Sequence, residues 1–169
     1  AKAQQRQNRC DGNHNGIGLQ ANSGRPIYET GPLMDALVAV GRPELVATTG
    51  GANVKGRTFK DIMQDLVDMY CWGQCDDATV GGGWRYGWQD GPDNSASQWG
   101  AIGMLAAEQL WGISIPDWVK ARNKVWLAYS TDGYGFGYTS QGGVGGGPNG
   151  DDASPPSALV QASFDGISS

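Results

Sequence analysis

The chain has 169 residues, 39% of them hydrophobic and 17% charged, with a net charge of −5. That length suits one domain with its own core, and that balance excludes a disordered tail and a charge-laced coiled coil. No Lys/Arg cluster suits a nucleic-acid surface, and no run approaches the roughly 20 apolar residues of a membrane span.

Glycine makes up 28 of the 169 residues without a collagen period, so it marks turns and long loops. Low lysine content, an acidic balance and abundant Gly, Asn, Ser and Trp point to a secreted, periplasmic or cell-surface protein. In that setting one disulfide among Cys10, Cys71 and Cys75 leaves an odd thiol. Cys71 and Cys75 share a face if both are helical, but a bridge at that spacing strains a regular helix. Cys10 paired with either is an equal alternative, so the pairing stays open.

Residues 1–27 read as a leading segment with an Asn/Gly-rich loop. Asp11-Gly12-Asn13-His14-Asn15-Gly16 matches the first half of a calcium loop, with side-chain oxygens at alternate positions and a glycine for the sharp turn. Asp11, Asn13 and Asn15 are therefore the candidate metal ligands, and calcium at 11–16 is the one cofactor suggested. Asn22 stands where that pattern needs a bidentate Glu, so a plain Asn/Gly turn is the competing expectation. His14, the only histidine, cannot build a His-based zinc site alone.

Thr30-Gly31-Pro32 predicts a helix through Val40, closed by Gly41 and Pro43. Thr58 predicts an N-cap for a second helix, Phe59 to about Trp72. Its apolar face carries Phe59, Ile62, Met63, Leu66, Val67 and Tyr70, and its polar face Lys60, Asp61, Gln64, Asp65 and Asp68. It reads as an outer element packed on one side. Ser95 and Gln98 have capping-box spacing for a third helix, Ser97 to about Trp111, with small residues on several faces and hence close neighbours all round. Pro116 opens a fourth to about Tyr129, and a fifth starts after Pro156.

A turn recurs before the predicted inner helices: Gly16-Ile17-Gly18-Leu19, Gly83-Trp84-Arg85-Tyr86 and Gly135-Phe136-Gly137-Tyr138. The first two are offset by 67 positions, which also places Thr30 on Ser97 and Leu37 on Met104; the third follows by 52. A turn, an inner helix and an outer helix form a hairpin unit that must stack to bury its faces. About two and a half such units fit, too few to close a ring of six, so a fragment or an assembly of copies is expected.

The runs GGGWRYG, DNSASQWGAIGMLAAEQLWGISIP and DGYGFGYTS, with Gln74 ahead of Gly83-Trp84, resemble the prenyltransferase and squalene-oxidase repeat family of α/α-toroid proteins over roughly residues 28–166. The resemblance implies an all-α fold of repeated helical hairpins, part of an α/α toroid with long Gly-rich loops, over 28–169. Among that family's chemistries, terpene cyclases use a DxDD acid; this chain has only Asp76-Asp77 and Asp151-Asp152. Prenyltransferase zinc needs Asp, Cys and His, and here Cys71, Cys75 and Asp76 lack a nearby histidine in sequence. Cys71-Trp72-Gly73-Gln74 has the Cys-x-x-Gln spacing of thioester domains, with a different middle pair. A glycosidase pair would have to come from Asp90, Asp93, Asp151 and Asp152.

Trp84, Tyr86, Trp99, Tyr134, Phe136 and Tyr138 are the candidate residues for binding a lipid or carbohydrate. The competing expectation is that such rings plug each glycine turn onto its neighbour. The sequence thus points to a non-catalytic extracytoplasmic binding or assembly module, partnered by copies of itself or by further segments. The alternative is part of a terpene-cyclase-like or carbohydrate-active toroid enzyme whose catalytic residues lie elsewhere.

Overall fold

The computed structural model describes residues 10–132, 135–139 and 154–167. They form five helices: α1 (Pro26–Val40), α2 (Phe59–Gly73), α3 (Asn94–Trp111), α4 (Asp117–Ser130) and α5 (Ser154–Phe164). Among the described residues there is no strand, only two isolated antiparallel bridges, Val46 with Thr58 and Thr131 with Phe136. The fold is all-α.

Helix ends follow local chemistry, with shifts from the sequence reading. Helix α1 starts a turn before Thr30 because Pro26 supplies the preset first position, and Pro32 is carried inside the helix. Thr58 caps α2 as expected, its hydroxyl accepting the Asp61 N–H at 3.1 Å. The cap of α3 is Asp93 rather than the Ser95/Gln98 box: its Oδ1 accepts the Ala96 N–H at 2.6 Å. The Gln98 amide instead donates to the Ser95 carbonyl. A carboxylate reaches the free N–H groups with a full charge, so it prevails over a hydroxyl two residues on.

Helix α3 packs between α1 and α5, and α2 touches both α1 and α3. Helix α4 lies on α5. Helices α2 and α4 meet where the Gln74 amide donates to the Val119 carbonyl at 2.9 Å and Arg122 donates to the Cys75 carbonyl at 2.9 Å. The architecture is therefore a row, α1–α3–α5, with α2 and α4 against one side. Glycine makes the row tight: a Cβ on Gly31 would run into the Trp99 carbonyl, and one on Gly103 would crowd Met34. Met34, Met63, Leu66, Tyr70, Trp84 and Met104 fill the space beneath.

Helix α2 departs from its one-sided reading. Gln64, Asp65 and Asp68 of the expected solvent face are buried, because residues 10–19 lie across them. Between α1, α3 and α5 lies a groove of about 390 Å³, edged by the exposed Leu110. Among the described residues no helix is long and apolar enough to cross a membrane.

Candidate functional site

The Gly81–Tyr86 turn is fastened at three levels. Cys75 and Gly82–Gly83 exchange backbone bonds of 2.9 and 3.0 Å, and the Gln74 amide donates to the Gly82 carbonyl at 2.6 Å. Gly82 holds φ at +119° with its Cα against the Arg122 carbonyl, a place only glycine fits. Trp84 then drops into the core, its indole N–H donating to the Tyr70 carbonyl at 2.9 Å and its ring edge-on to Tyr70. The Ser97 hydroxyl accepts the Trp84 N–H and donates to its carbonyl. Trp84 is 0% exposed, so this expected ligand ring presents no face to a ligand. It is a plug.

Two residues on, the alternation turns Tyr86 outward into a group of half-buried rings. Tyr28 of α1 lies 6.3 Å from Tyr86 and 5.3 Å from Trp99 of α3, centroid to centroid. The exposed Arg25 sits 5.2 Å over the Tyr86 ring. The Tyr86 hydroxyl meets that of Tyr138 at 3.2 Å. Tyr138 is held by α3, since the Asn94 N–H donates to its carbonyl at 3.0 Å and the Asn94 amide to the Gly137 carbonyl at 2.7 Å. Two turns of the chain and the helices α1 and α3 thus converge on one shelf.

At its edge Arg85 faces Asp93 at 3.6 Å. Burial pushes the Asp93 carboxyl up, and the Ala96 N–H, Arg85 and the Tyr138 hydroxyl pull it back. The Tyr138 phenol is raised by burial, then by Tyr86 and Asp93. The Trp99 indole N–H is buried with no hydrogen-bond acceptor among the described residues. The shelf therefore combines aromatic faces, three tyrosine hydroxyls and two arginines around a buried indole donor without an acceptor.

Of the aromatic candidates, Tyr86, Trp99 and Tyr138 come together. Phe136 is half-buried and paired through its backbone with Thr131, and Tyr134 lies outside the described residues. The sequence reading missed Arg25, Tyr28 and Arg85. Pro26 was the signal: read as the first helical residue, it puts Tyr28 on the first turn of α1, facing α3.

Asp11, Asn13 and Asn15 gather in their loop. Asp11 accepts the N–H groups of Asn15 and Gly16 at 3.0 Å each, and Asn15 Oδ1 accepts that of Ile17 at 2.7 Å. The amides of Asn13 and Asn15 both donate to Asp65 Oδ1, at 2.7 and 2.9 Å. Asp65 also pairs with Arg57 at 2.6 Å. Among the described residues no group of three or more His, Cys, Asp and Glu is placed to hold a metal ion.

The thioester spacing is also put to another use. The Gln74 amide bridges the Gly82 and Val119 carbonyls, and complete burial raises the Cys71 thiol well above its usual range. Asp151 and Asp152 lie outside the described residues, and Asp76, Asp77 and Asp90 are solvent-exposed. No protein family model, no curated protein and no solved structure matches the chain.

Proposed function

We propose that the chain is a non-catalytic, extracytoplasmic binding module of toroid-type helical hairpins whose ligand is a carbohydrate laid on the Tyr28–Tyr86–Trp99 shelf. The supporting observation is the convergence of those half-buried rings with the Tyr86–Tyr138 hydroxyl pair. A sugar ring has an apolar C–H face for stacking and hydroxyls for the edges, whereas a lipid chain would leave those polar edges without partners. The row α1–α3–α5 with α2 and α4 on one side supports the hairpin reading. In that reading the groove between α1, α3 and α5, edged by the exposed Leu110, faces further hairpins, of the same protein or of another copy.

The test is a calorimetric titration with soluble xylo-, cello- and chito-oligosaccharides. One series should bind, and Tyr86→Ala and Trp99→Ala should each weaken it at least tenfold in chains whose circular dichroism is unchanged. Binding that survives both substitutions sinks the shelf.

A second reading is calcium at the 11–16 loop, supported by the gathering of Asp11, Asn13 and Asn15 in one loop beside the Asp65 carboxylate. A thermal midpoint that rises with millimolar calcium and falls back with a chelator supports it; no change removes it.

A further inference from the structure

The three cysteines occupy unequal places. Cys75 lies past the end of α2, its N–H bonded to the Gly83 carbonyl at 3.0 Å and its carbonyl receiving Gly82 and Arg122 at 2.9 Å each. Its backbone belongs to the Trp84 turn. Cys10 belongs to the leading segment, and with Asp68, Met69 and Trp72 it lines a cavity of about 250 Å³ beside α2. Two residues on, the Gly12 N–H is held between both oxygens of Asp68, at 3.1 and 3.0 Å. Cys71 stands three residues after Asp68, next to it on one face of α2. Cys10 and Cys71 share one apolar core, at 5% and 0% exposure. Cys71 feels its neighbour: after burial, the charge of Cys10 is the next cause raising its thiol.

We propose that Cys10 and Cys71 form a disulfide that staples the leading segment to α2, leaving Cys75 as a thiol. Its occurrence in the natural protein rests on the extracytoplasmic reading; its chemistry does not. The oxidant is a small-molecule disulfide such as oxidised glutathione. The Cys10 thiolate attacks one of its sulfurs, forming a mixed disulfide and displacing one glutathione thiolate. The Cys71 thiolate then attacks the Cys10 sulfur and displaces the second. The protein's two thiol protons end on the two glutathione thiols, and its two electrons reduce the oxidant. Because Cys71 is sealed in the folded chain, the second step belongs to folding, before the leading segment closes over α2.

The test is to refold the full chain in a glutathione redox buffer, alkylate remaining thiols and map peptides without reduction. The expected chain is lighter by two hydrogen atoms, with Cys10 linked to Cys71 and Cys75 alkylated. Cys75→Ser should still form the link, and Cys10→Ser and Cys71→Ser should both lose it. Reduction should lower the thermal midpoint of Cys75→Ser by about 10 °C. A linked peptide containing Cys75, or three alkylated cysteines in a natively folded chain, overturns the proposal. A chain that links in vitro but is reduced when isolated from its natural source overturns the extracytoplasmic reading and with it the staple in the natural protein.

Discussion

Two glycine-rich runs precede helices of the central row, and both are fastened to α2 by opposite means. The run Gly16–Leu19 and the loop before it are tied by charge: Gly12 to Asp68, and Asn13 and Asn15 to Asp65, which Arg57 neutralises. The run Gly83–Tyr86 is tied by a neutral plug, with the Trp84 ring against Tyr70 and its indole on a backbone carbonyl. Ile17 and Leu19 stay half-buried where Trp84 is sealed. The same task, pinning a loop over a helix, is met by polar saturation in one case and by apolar volume in the other. The first should respond to pH through Asp68.

The largest expected effect breaks the plug. Trp84→Ala should cost about 3–5 kcal/mol, read as a fall in the urea midpoint, because it empties a fully buried indole site and leaves the Tyr70 carbonyl without its donor. A loss under about 1 kcal/mol would show that the turn does not depend on its ring. Next comes the polar clasp. Asp65→Ala strands the Arg57 guanidinium and two amides, at about 2–3 kcal/mol, with hydrogen exchange of the Gly12 and Leu19 amides rising before that of α3. Equal protection of both regions would erase the distinction between them.

A finer test uses pH. Burial lifts the Asp68 carboxyl from 3.8 to about 7, ahead of the opposing bonds from Gln64 and Gly12. The folded chain then holds this proton more tightly than the unfolded one. Its contribution is fully present below the unfolded value and is lost as pH rises through about 7. Asp68→Asn should be more stable than the parent at pH 8 and level with it near pH 4, each judged by urea midpoint. A constant difference would mean that Asp68 does not titrate in the clasp. The smallest effect is the baseline: Arg42→Ala breaks only the exposed pair with Glu44, so its midpoint should move by less than about 0.5 kcal/mol.

Much of the frame was legible in the chain because helix signals are local. The Thr58 cap, the apolar spacing from Phe59 to Tyr70 and the stop at Gly41 need no distant partner. Small residues in α3 announced close neighbours, and Gly103 against Met34 and the Gly31 carbonyl is such a contact. The site was legible only in part. Periodicity marks Asp65 and Asp68 as a solvent face, and it has no means of registering a polar segment more than 50 residues away that covers them. Tyr86, Trp99 and Tyr138 stand out as aromatics near glycine, but which ring plugs and which emerges depends on the path of the turn.

By itself the sequence determined that this protein is helical and roughly where its helices start and stop. These follow from backbone hydrogen bonds and capping within a few residues of each other. Only the tertiary structure decided that α3 lies between α1 and α5, that Trp84 is core while Tyr86 is surface, and that Cys10 rather than Cys75 lies beside the Asp68 turn of α2. Those outcomes rest on packing and on pairing buried polar groups across long separations. Their energies appear only when distant parts of the chain are brought together.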